Sequence, residues 1–297
     1  VLIALMGPTA SGKTQIAERL ADALGARLVN ADAFQVYRGL DIGTAKPAAR
    51  DRYALIDIKD PEESFGVGEF VERALEAIHS APGPVVVVGG TGLYIRALTE
   101  GYADMRRMPD PALRTALEEE ERTHGLPALV DKLRRLDPQR ASQVDTLNPV
   151  RVRRALERAL APGDPIKPLP LPGPVVKIGL YVEPELLGER IDRRVHEMLD
   201  AGWLEEVVGL AARGVPETAP AMRAIGYRAM LSLASNSLDR VETIEQVRLE
   251  TRRYAKRQRT WLRSEPRLQW VESNDPERAF TFCERLIEDL PKMFDAN

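Results

Sequence analysis

Gly7-Pro8-Thr9-Ala10-Ser11-Gly12-Lys13-Thr14 carries the first chemistry legible in this chain. It fits G-x-x-x-x-G-K-[ST], the pattern of a phosphate-binding loop. Such a loop turns free backbone N–H groups toward an anion at the positive end of a helix, where a diphosphate can sit. In that role Lys13 reaches the terminal phosphates and the Thr14 hydroxyl holds Mg²⁺. The loop needs a strand before it and a helix behind it. Val1 to Met6 is a short apolar run, as a buried parallel strand should be. Thr14 to Leu24 reads as a helix, with Ile16, Leu20 and Leu24 at i+4 steps.

Two further groups belong on the same rim. Ala26 to Ala31 is a second apolar run and ends in Asp32. In an open α/β sheet, residues just past strand ends face the ligand crevice, so Asp32 lies beside the phosphate loop. The stretch from Asp32 to Lys46 is too polar and too glycine-punctuated to be one regular element. Val85 to Val88 reads as a buried strand running into Gly89-Gly90-Thr91-Gly92. Many phosphate-loop NTPases place an Asp at or near that point to help hold Mg²⁺. Gly89 in its place argues against an ATP-hydrolysing motor or switch. The glycines let something approach the backbone closely, and Thr91 offers a hydroxyl beside them.

The elements that would position these groups alternate strand and helix. Tyr53 to Ile58 reads as a strand and Val67 to Ser80 as a helix. From near Met105 the character changes. Leu113 to Thr123, Pro127 to Leu136 and Pro149 to Leu160 read as helices with no strand between them. Ala161 to Pro174 has linker composition. Val175 to Val182 resumes a strand, Leu187, Ile191, Val195 and Leu199 mark an amphipathic helix, and a long helix spans about Arg240 to Arg263. The expected fold is α/β: a P-loop NTPase-like core with a parallel sheet flanked by helices, plus a helical insertion. Residues 1–105 and 171–297 form the core with its C-terminal helices, and 106–170 the insertion.

The chain has 297 residues, 44% hydrophobic and 29% charged, with a formal net charge of −3, values ordinary for a soluble globular protein. No stretch approaches the roughly 20 apolar residues of a membrane span, and Val1 to Met6 reads as core strand rather than leader. Cys283 is the sole cysteine, so there is no disulfide framework or zinc-finger set; it reads as an inert helix residue in a reducing cytoplasmic setting. His79, His124 and His196 lack ligand spacing, and no Ser-His-Asp or Cys nucleophile arrangement is evident. Positive charge is nonetheless clustered. Arg151, Arg154 and Arg158 share one helix face, Arg223 and Arg228 flank Gly226-Tyr227, and six basic residues fall between Arg252 and Arg263 with no acid among them. Each cluster by itself could be a solvated face, but the set favours a polyanion larger than a nucleotide. Phe34, Tyr37 and Tyr227 are either core residues or platforms for unpaired bases.

Taken together, these motifs resemble the tRNA dimethylallyltransferases over nearly the whole chain. The likeness rests on Gly7 to Thr14, on Gln35-Val36-Tyr37-Arg38-Gly39-Leu40-Asp41-Ile42-Gly43-Thr44-Ala45-Lys46, and on Gly89-Gly90-Thr91-Gly92-Leu93-Tyr94. Arg223 with Gly226-Tyr227-Arg228, and Lys256-Arg257-Gln258 with Thr260-Trp261-Leu262-Arg263, complete it. The resemblance implies transfer of a dimethylallyl group from dimethylallyl diphosphate to N6 of the adenosine 3′-adjacent to the anticodon, with Mg²⁺ as cofactor. The partner implied is the tRNA anticodon stem-loop, and no membrane is involved; a cytoplasmic monomer is expected. It places the diphosphate on Gly7, Pro8, Thr9, Ala10, Ser11, Gly12, Lys13 and Thr14. Asp32 is then the general base for the adenine amine, or alternatively a partner of Mg²⁺ or Lys13. Thr91 would hydrogen-bond the diphosphate or Asp32. The tRNA contacts implied are Asp32, Ala33, Phe34, Gln35 and Thr91 around the flipped base, Arg114, Arg151 and Arg154 on the insertion, and Arg223, Gly226, Tyr227 and Arg228. One departure stands out: the family usually has Ser where this chain has Ala33, which removes one hydroxyl contact to substrate. Two other readings remain open: a small-molecule kinase using ATP at the same loop, and a prenyltransferase acting on free adenine nucleotides.

Overall fold

The aliphatic runs at residues 2–6 and 85–88 leave no polar position for water, which places both in a sheet covered on two faces. The computed structural model describes residues 1–101, 111–160 and 170–288. In it β1 (Leu2–Met6) leads through the glycine loop into α1 (Lys13–Leu24). β2 (Arg27–Asn30), β3 (Tyr53–Ala54), α2 (Val67–His79), β4 (Val85–Gly89) and α3 (Gly92–Glu100) follow. Three helices come next: α4 (Pro111–Leu136), α5 (Pro138–Gln143) and α6 (Pro149–Leu160). β5 (Val175–Tyr181), α7 (Pro184–Asp200), α8 (Trp203–Ala212), α9 (Tyr227–Ala234), α10 (Arg240–Arg263), β6 (Leu268–Glu272) and α11 (Pro276–Glu288) complete the order.

The six strands lie in the order β3-β2-β4-β1-β5-β6, and every pairing is parallel. Register brings three strand ends level: Met6 lies opposite Gly89, and Asn30 opposite Val88. The phosphate loop, Asp32 and the Gly90-Thr91 turn therefore leave the sheet side by side. Ile16 and Leu20 of α1 pack with Phe280 and Cys283 of α11 on one part of the core. Burial pushes the Cys283 thiol up to about 12, which makes it inert. Tyr37, Leu40, Trp203, Tyr227, Met230 and Val247 form a second core that ties the loop after Asp32 to α8, α9 and α10.

The strand expected at residues 53–58 ends at Ala54. Leu55 and Asp57 take left-handed backbone, at φ 69° and 54°. The chain turns there because Asn30 Nδ2 donates to the Leu55 carbonyl and the buried Lys46 ammonium takes Asp57 as a partner.

Two compact units result, one of Val1–Gly101 with Leu169–Asn297 and the other of Tyr102–Pro168. The N-terminal boundary of the insertion and most of the linker expected from sequence lie outside the described residues. Within the smaller unit α4 breaks at Gly125, where φ is 78° and Pro127 follows. Leu117, Leu129, Leu133, Val152 and Leu156 form its core. No described helix is long and apolar enough to cross a membrane.

One buried polar group anchors the end of α10 to the sheet. The Glu265 side chain is fully buried, accepts from Lys177 of β5 at 2.7 Å, and pairs with Arg96 of α3 at 2.8 Å. Lys177 also bonds Glu100, so Glu265→Ala removes one of two carboxylates from a buried ammonium and should lower stability by about 1–3 kcal/mol in urea unfolding. The double variant Glu265→Met/Lys177→Met should regain more than half of that loss, because removing both charges removes the desolvation penalty as well.

Candidate active site

The phosphate loop takes its shape from two residues in left-handed conformation, Ala10 at φ 62° and Gly12 at φ 81°. Gly7, Pro8 and Ser11 lie behind the loop, where a Cβ on Gly7 would press on Ser11 Oγ. Thr9, Ala10, Gly12, Lys13 and Thr14 face a cavity of about 240 Å³ that also contains Asn30, Asp32, Gln35, Arg194 and Tyr254. Lys13 Nζ donates to the Pro8 carbonyl at 3.3 Å. Burial lowers its pKa to about 8; the neighbouring Arg194 acts in the same direction and Asp32 opposes it.

Asp32 is held from both sides. Its Oδ1 accepts from Phe34 N at 2.9 Å and from Gln35 N at 3.4 Å, which fixes the carboxylate at the head of a turn. Its own N–H donates to Asn30 Oδ1 at 3.2 Å. Oδ2 accepts no hydrogen bond among the described residues, and Asp32 lines the cavity. Arg194 comes from the edge of the apolar stripe of α7, one turn from Ile191. It makes no hydrogen bond or carboxylate ion pair among the described residues. Burial works against its charge, while Asp32 and Glu197 support it. Two half-buried cations thus share a site with Asp32 at the N-terminus of α1. That arrangement suits an anion.

Beyond Asp32 and Thr9 the space opens into a second, more apolar cavity of about 220 Å³. Phe34, Ile191, Val195, Trp203, Ile225 and Val247 supply its walls, and Arg223, Arg257 and Tyr254 its polar edge. Gln35 is set by its Nε2, which donates to the Thr44 and Ala45 carbonyls at 3.0 and 3.2 Å. That stretch is held in turn by Glu206 of α8, which accepts from the N–H groups of Asp41, Ile42 and Gly43.

Several residues expected to bind tRNA have other work in the structure. Tyr227 is fully buried, its ring edge-on to Trp203 and its hydroxyl donating to Glu206 at 2.7 Å. Gly226, at φ 85°, gives Trp203 room. Neither offers a face to a base, whereas Arg223 and Arg228 are exposed. Tyr37 is likewise core. On the smaller unit, Arg114 and Arg154 both bond the buried Glu157, at 2.9 and 2.8 Å. Burial acts to raise the Glu157 pKa, but these two hydrogen bonds outweigh it and hold the carboxyl below its ordinary range. Arg151 stands more in the open, 3.7 Å from Asp145. Ala33 borders neither cavity. Thr91 stands at the N-cap position of α3 without a side-chain capping bond and does not bond Asp32; its Oγ1 is buried beside Tyr254.

Sequence reading missed Arg194, Tyr254 and Asn30. Arg194 had one weak signal, a charge on the border of an otherwise apolar helical stripe. The other two had none, because their roles depend on which strand ends are neighbours. The glycines after β4 do allow close approach, but by protein. A side chain on Gly89 would strike the Ala31 carbonyl, and one on Gly92 the Trp261 ring.

The IPP transferase family model matches residues 35–265, and the isopentenyl transferase model matches residues 1–54. The chain belongs to the IPP transferase family. It is 40% identical to a tRNA dimethylallyltransferase of Syntrophobacter fumaroxidans, over 99% of this chain and 89% of the relative. It is 41% identical to that of Geobacter sulfurreducens, over 91% of each. Among solved structures, the tRNA isopentenylpyrophosphate transferase of Bacillus halodurans aligns at TM-score 0.72 and 35% identity, covering 99% of this chain and 98% of that one. A eukaryotic dimethylallyltransferase solved acting on tRNA shares the fold at TM-score 0.80 and 24% identity, covering 100% and 79%.

The depressed Lys13 pKa gives the site a measurable proton signature. A bound diphosphate restores the charged ammonium, so near pH 8 the protein should draw about half a proton per site from buffer. Calorimetry with inorganic diphosphate in buffers of different ionisation enthalpy, read as wild type minus Lys13→Met, should show that uptake. It should fade toward pH 6, where Lys13 is already charged, and affinity should fall as pH rises above about 8.

Proposed function

We propose that this protein transfers a dimethylallyl group from dimethylallyl diphosphate to N6 of the adenosine 3′-adjacent to the anticodon in tRNA. The observation that carries the reading is the pairing of an anion-seeking cavity with an apolar one, joined at Asp32 and Thr9. The diphosphate lies on the loop amides, Lys13 and Arg194. The five-carbon chain lies among Ile191, Val195 and Val247, and the flipped adenine reaches Asp32 past Phe34 and Gln35. Family membership supports the same assignment.

The residues divide the reaction simply. The C1–O bond of the substrate breaks with its electron pair going to the diphosphate, and Lys13, Arg194 and the loop amides stabilise the charge as it grows. The adenine N6 lone pair, withdrawn into the ring, forms the new N6–C1 bond as one N6 proton passes to Asp32 Oδ2. The oxygens present also suit Mg²⁺. Thr14 and Asp32 face the same cavity, and no group of three or more His, Cys, Asp or Glu side chains stands ready for a metal among the described residues. A cation here would share diphosphate oxygens and water with the Thr14 hydroxyl, as Mg²⁺ prefers. When bound it supplies further positive charge to the leaving group.

Geometry disfavours the kinase reading, since the Ala31 carbonyl occupies the space a metal-binding acid at position 89 would need. Incubation with dimethylallyl diphosphate, Mg²⁺ and unmodified tRNA should yield N6-prenylated adenosine on nucleoside analysis. AMP should not be prenylated, and ATP without tRNA should not turn over. Asp32→Asn should slow the single-turnover step about 100- to 10,000-fold at saturating Mg²⁺ and tRNA. Near-normal chemistry in that variant would instead assign Asp32 to supporting Mg²⁺ or Lys13.

Arg194→Met should weaken dimethylallyl diphosphate binding about 10- to 100-fold, as loss of a charged hydrogen-bond donor does. Stem-loop affinity, measured separately by fluorescence anisotropy, should be unchanged.

A further inference from the structure

Gln258 lies on α10, far in sequence from the two backbone groups it bonds. It is buried, and both ends of its amide are engaged. Its Oε1 accepts from Thr9 N at 2.8 Å, on the crest of the phosphate loop. Its Nε2 donates to the Gly90 carbonyl at 3.0 Å, on the turn that carries Thr91. The reversed amide would set Nε2 against an N–H and Oε1 against a carbonyl, so only this orientation makes both bonds. Gly90 leaves room for this amide, because a Cβ there would fall on Gln258 Nε2 and displace it.

The consequence for the loop is specific. In a phosphate loop the backbone N–H groups are the ligand's, yet here the Thr9 N–H is assigned to a side chain of another element. Thr9 borders both the anion cavity and the apolar one, so Gln258 clamps the chain where the two meet. α10 is itself a firm support. One turn earlier Tyr254 enters both cavities, and three residues later Trp261 packs against Gly92 with the Arg96 guanidinium 4.3 Å over its ring.

We infer that Gln258 is a positioning residue whose amide sets the spacing between the phosphate loop and the Gly90-Thr91 turn, and so places the diphosphate relative to Asp32. This inference rests on the proposed reaction for its catalytic consequence, but not for its effect on diphosphate binding. The role requires a group that donates and accepts at once. A protonated carboxyl can do that; a carboxylate can only accept, and a thioether does neither to any useful extent.

The test compares Gln258→Met and Gln258→Glu in the full chain across pH 6 to 8, each taken as a ratio to wild type at the same pH. Gln258→Met should weaken binding of inorganic diphosphate with Mg²⁺ about tenfold and slow single-turnover transfer by a similar factor, at every pH. Its affinity for an anticodon stem-loop should stay within about threefold of wild type, as expected for a change confined to the diphosphate side. Gln258→Glu should be the weaker binder at pH 8, where its carboxylate repels both the Gly90 carbonyl and the diphosphate, and should climb toward wild type as it is protonated near pH 6. Wild-type diphosphate affinity in Gln258→Met would overturn the inference. So would a Gln258→Glu ratio that stays flat with pH, or parallel loss of stem-loop affinity and thermal stability in both variants, since each means that Gln258 serves the fold alone. If wild-type protein transfers no prenyl group, the proposed reaction fails, while the diphosphate-binding arms still decide the role of Gln258.

Discussion

Positive charge held away from water at the crest of a parallel sheet governs this site. Lys13, Arg194 and Asp32 line one cavity and influence one another's charge, and the N-terminus of α1 adds its own partial positive charge. Such a cluster is costly unless an anion completes it. The surrounding architecture keeps it in place regardless. The level ends of β1, β2 and β4 bring loop and carboxylate together, Asn30 and the turn at Phe34 and Gln35 hold the carboxylate, and α7 delivers the guanidinium. A site built in this way is preorganised for a leaving diphosphate, because its dipoles need not turn as the charge develops.

The phosphate loop has been fitted into a different setting from that of an NTPase. Where such enzymes place a metal-binding acid after the neighbouring strand, this chain packs Gly89 on Ala31 and brings the side chains of α10 onto Gly90 and Gly92. The glycine-rich turn is therefore an internal joint. It exchanges a metal ligand for contact between the sheet rim and a helix that also walls the apolar cavity. The same economy explains why Gly226 and Tyr227, which look from sequence like ligand residues, are core: Trp203 occupies the space beside them, and their service to the site is to seat α8 and α9.

Basic residues divide along similar lines. In the smaller unit Arg114 and Arg154 converge on Glu157, and in the larger one Arg252 bonds Asp192 at 2.6 Å. Guanidiniums tied in this way have fixed positions, and a phosphate that met them would share them with a carboxylate. Arg223 and Arg228 are exposed, and Arg223 borders the apolar cavity directly. Clustering along the sequence thus overstates the charge available to a polyanion, because it does not register acids brought in from elsewhere in the chain.

Short-range features were determined by the sequence itself. The strand–loop–helix order around Gly7 to Thr14, the valine strand, the amphipathic stripes of α1 and α10 and the placing of Asp32 past a strand end all follow from periodicity and glycine spacing, which act over a few residues. The end of β3 was not legible, because the left-handed turn at Leu55 and Asp57 answers to Asn30 and Lys46 rather than to its own residues. Arg194, Tyr254 and Asn30 were hidden for the same reason, and Gln258, though part of a legible motif, gave no sign of the two backbone groups it joins. Each is an ordinary helix or strand residue by type, and its role arises only when the parallel register and the crossing of α7 and α10 bring it to the rim. Local propensity is a property of neighbours along the chain, whereas charge balance and close approach in a buried site are properties of neighbours in space, and only the packed tertiary structure specifies those.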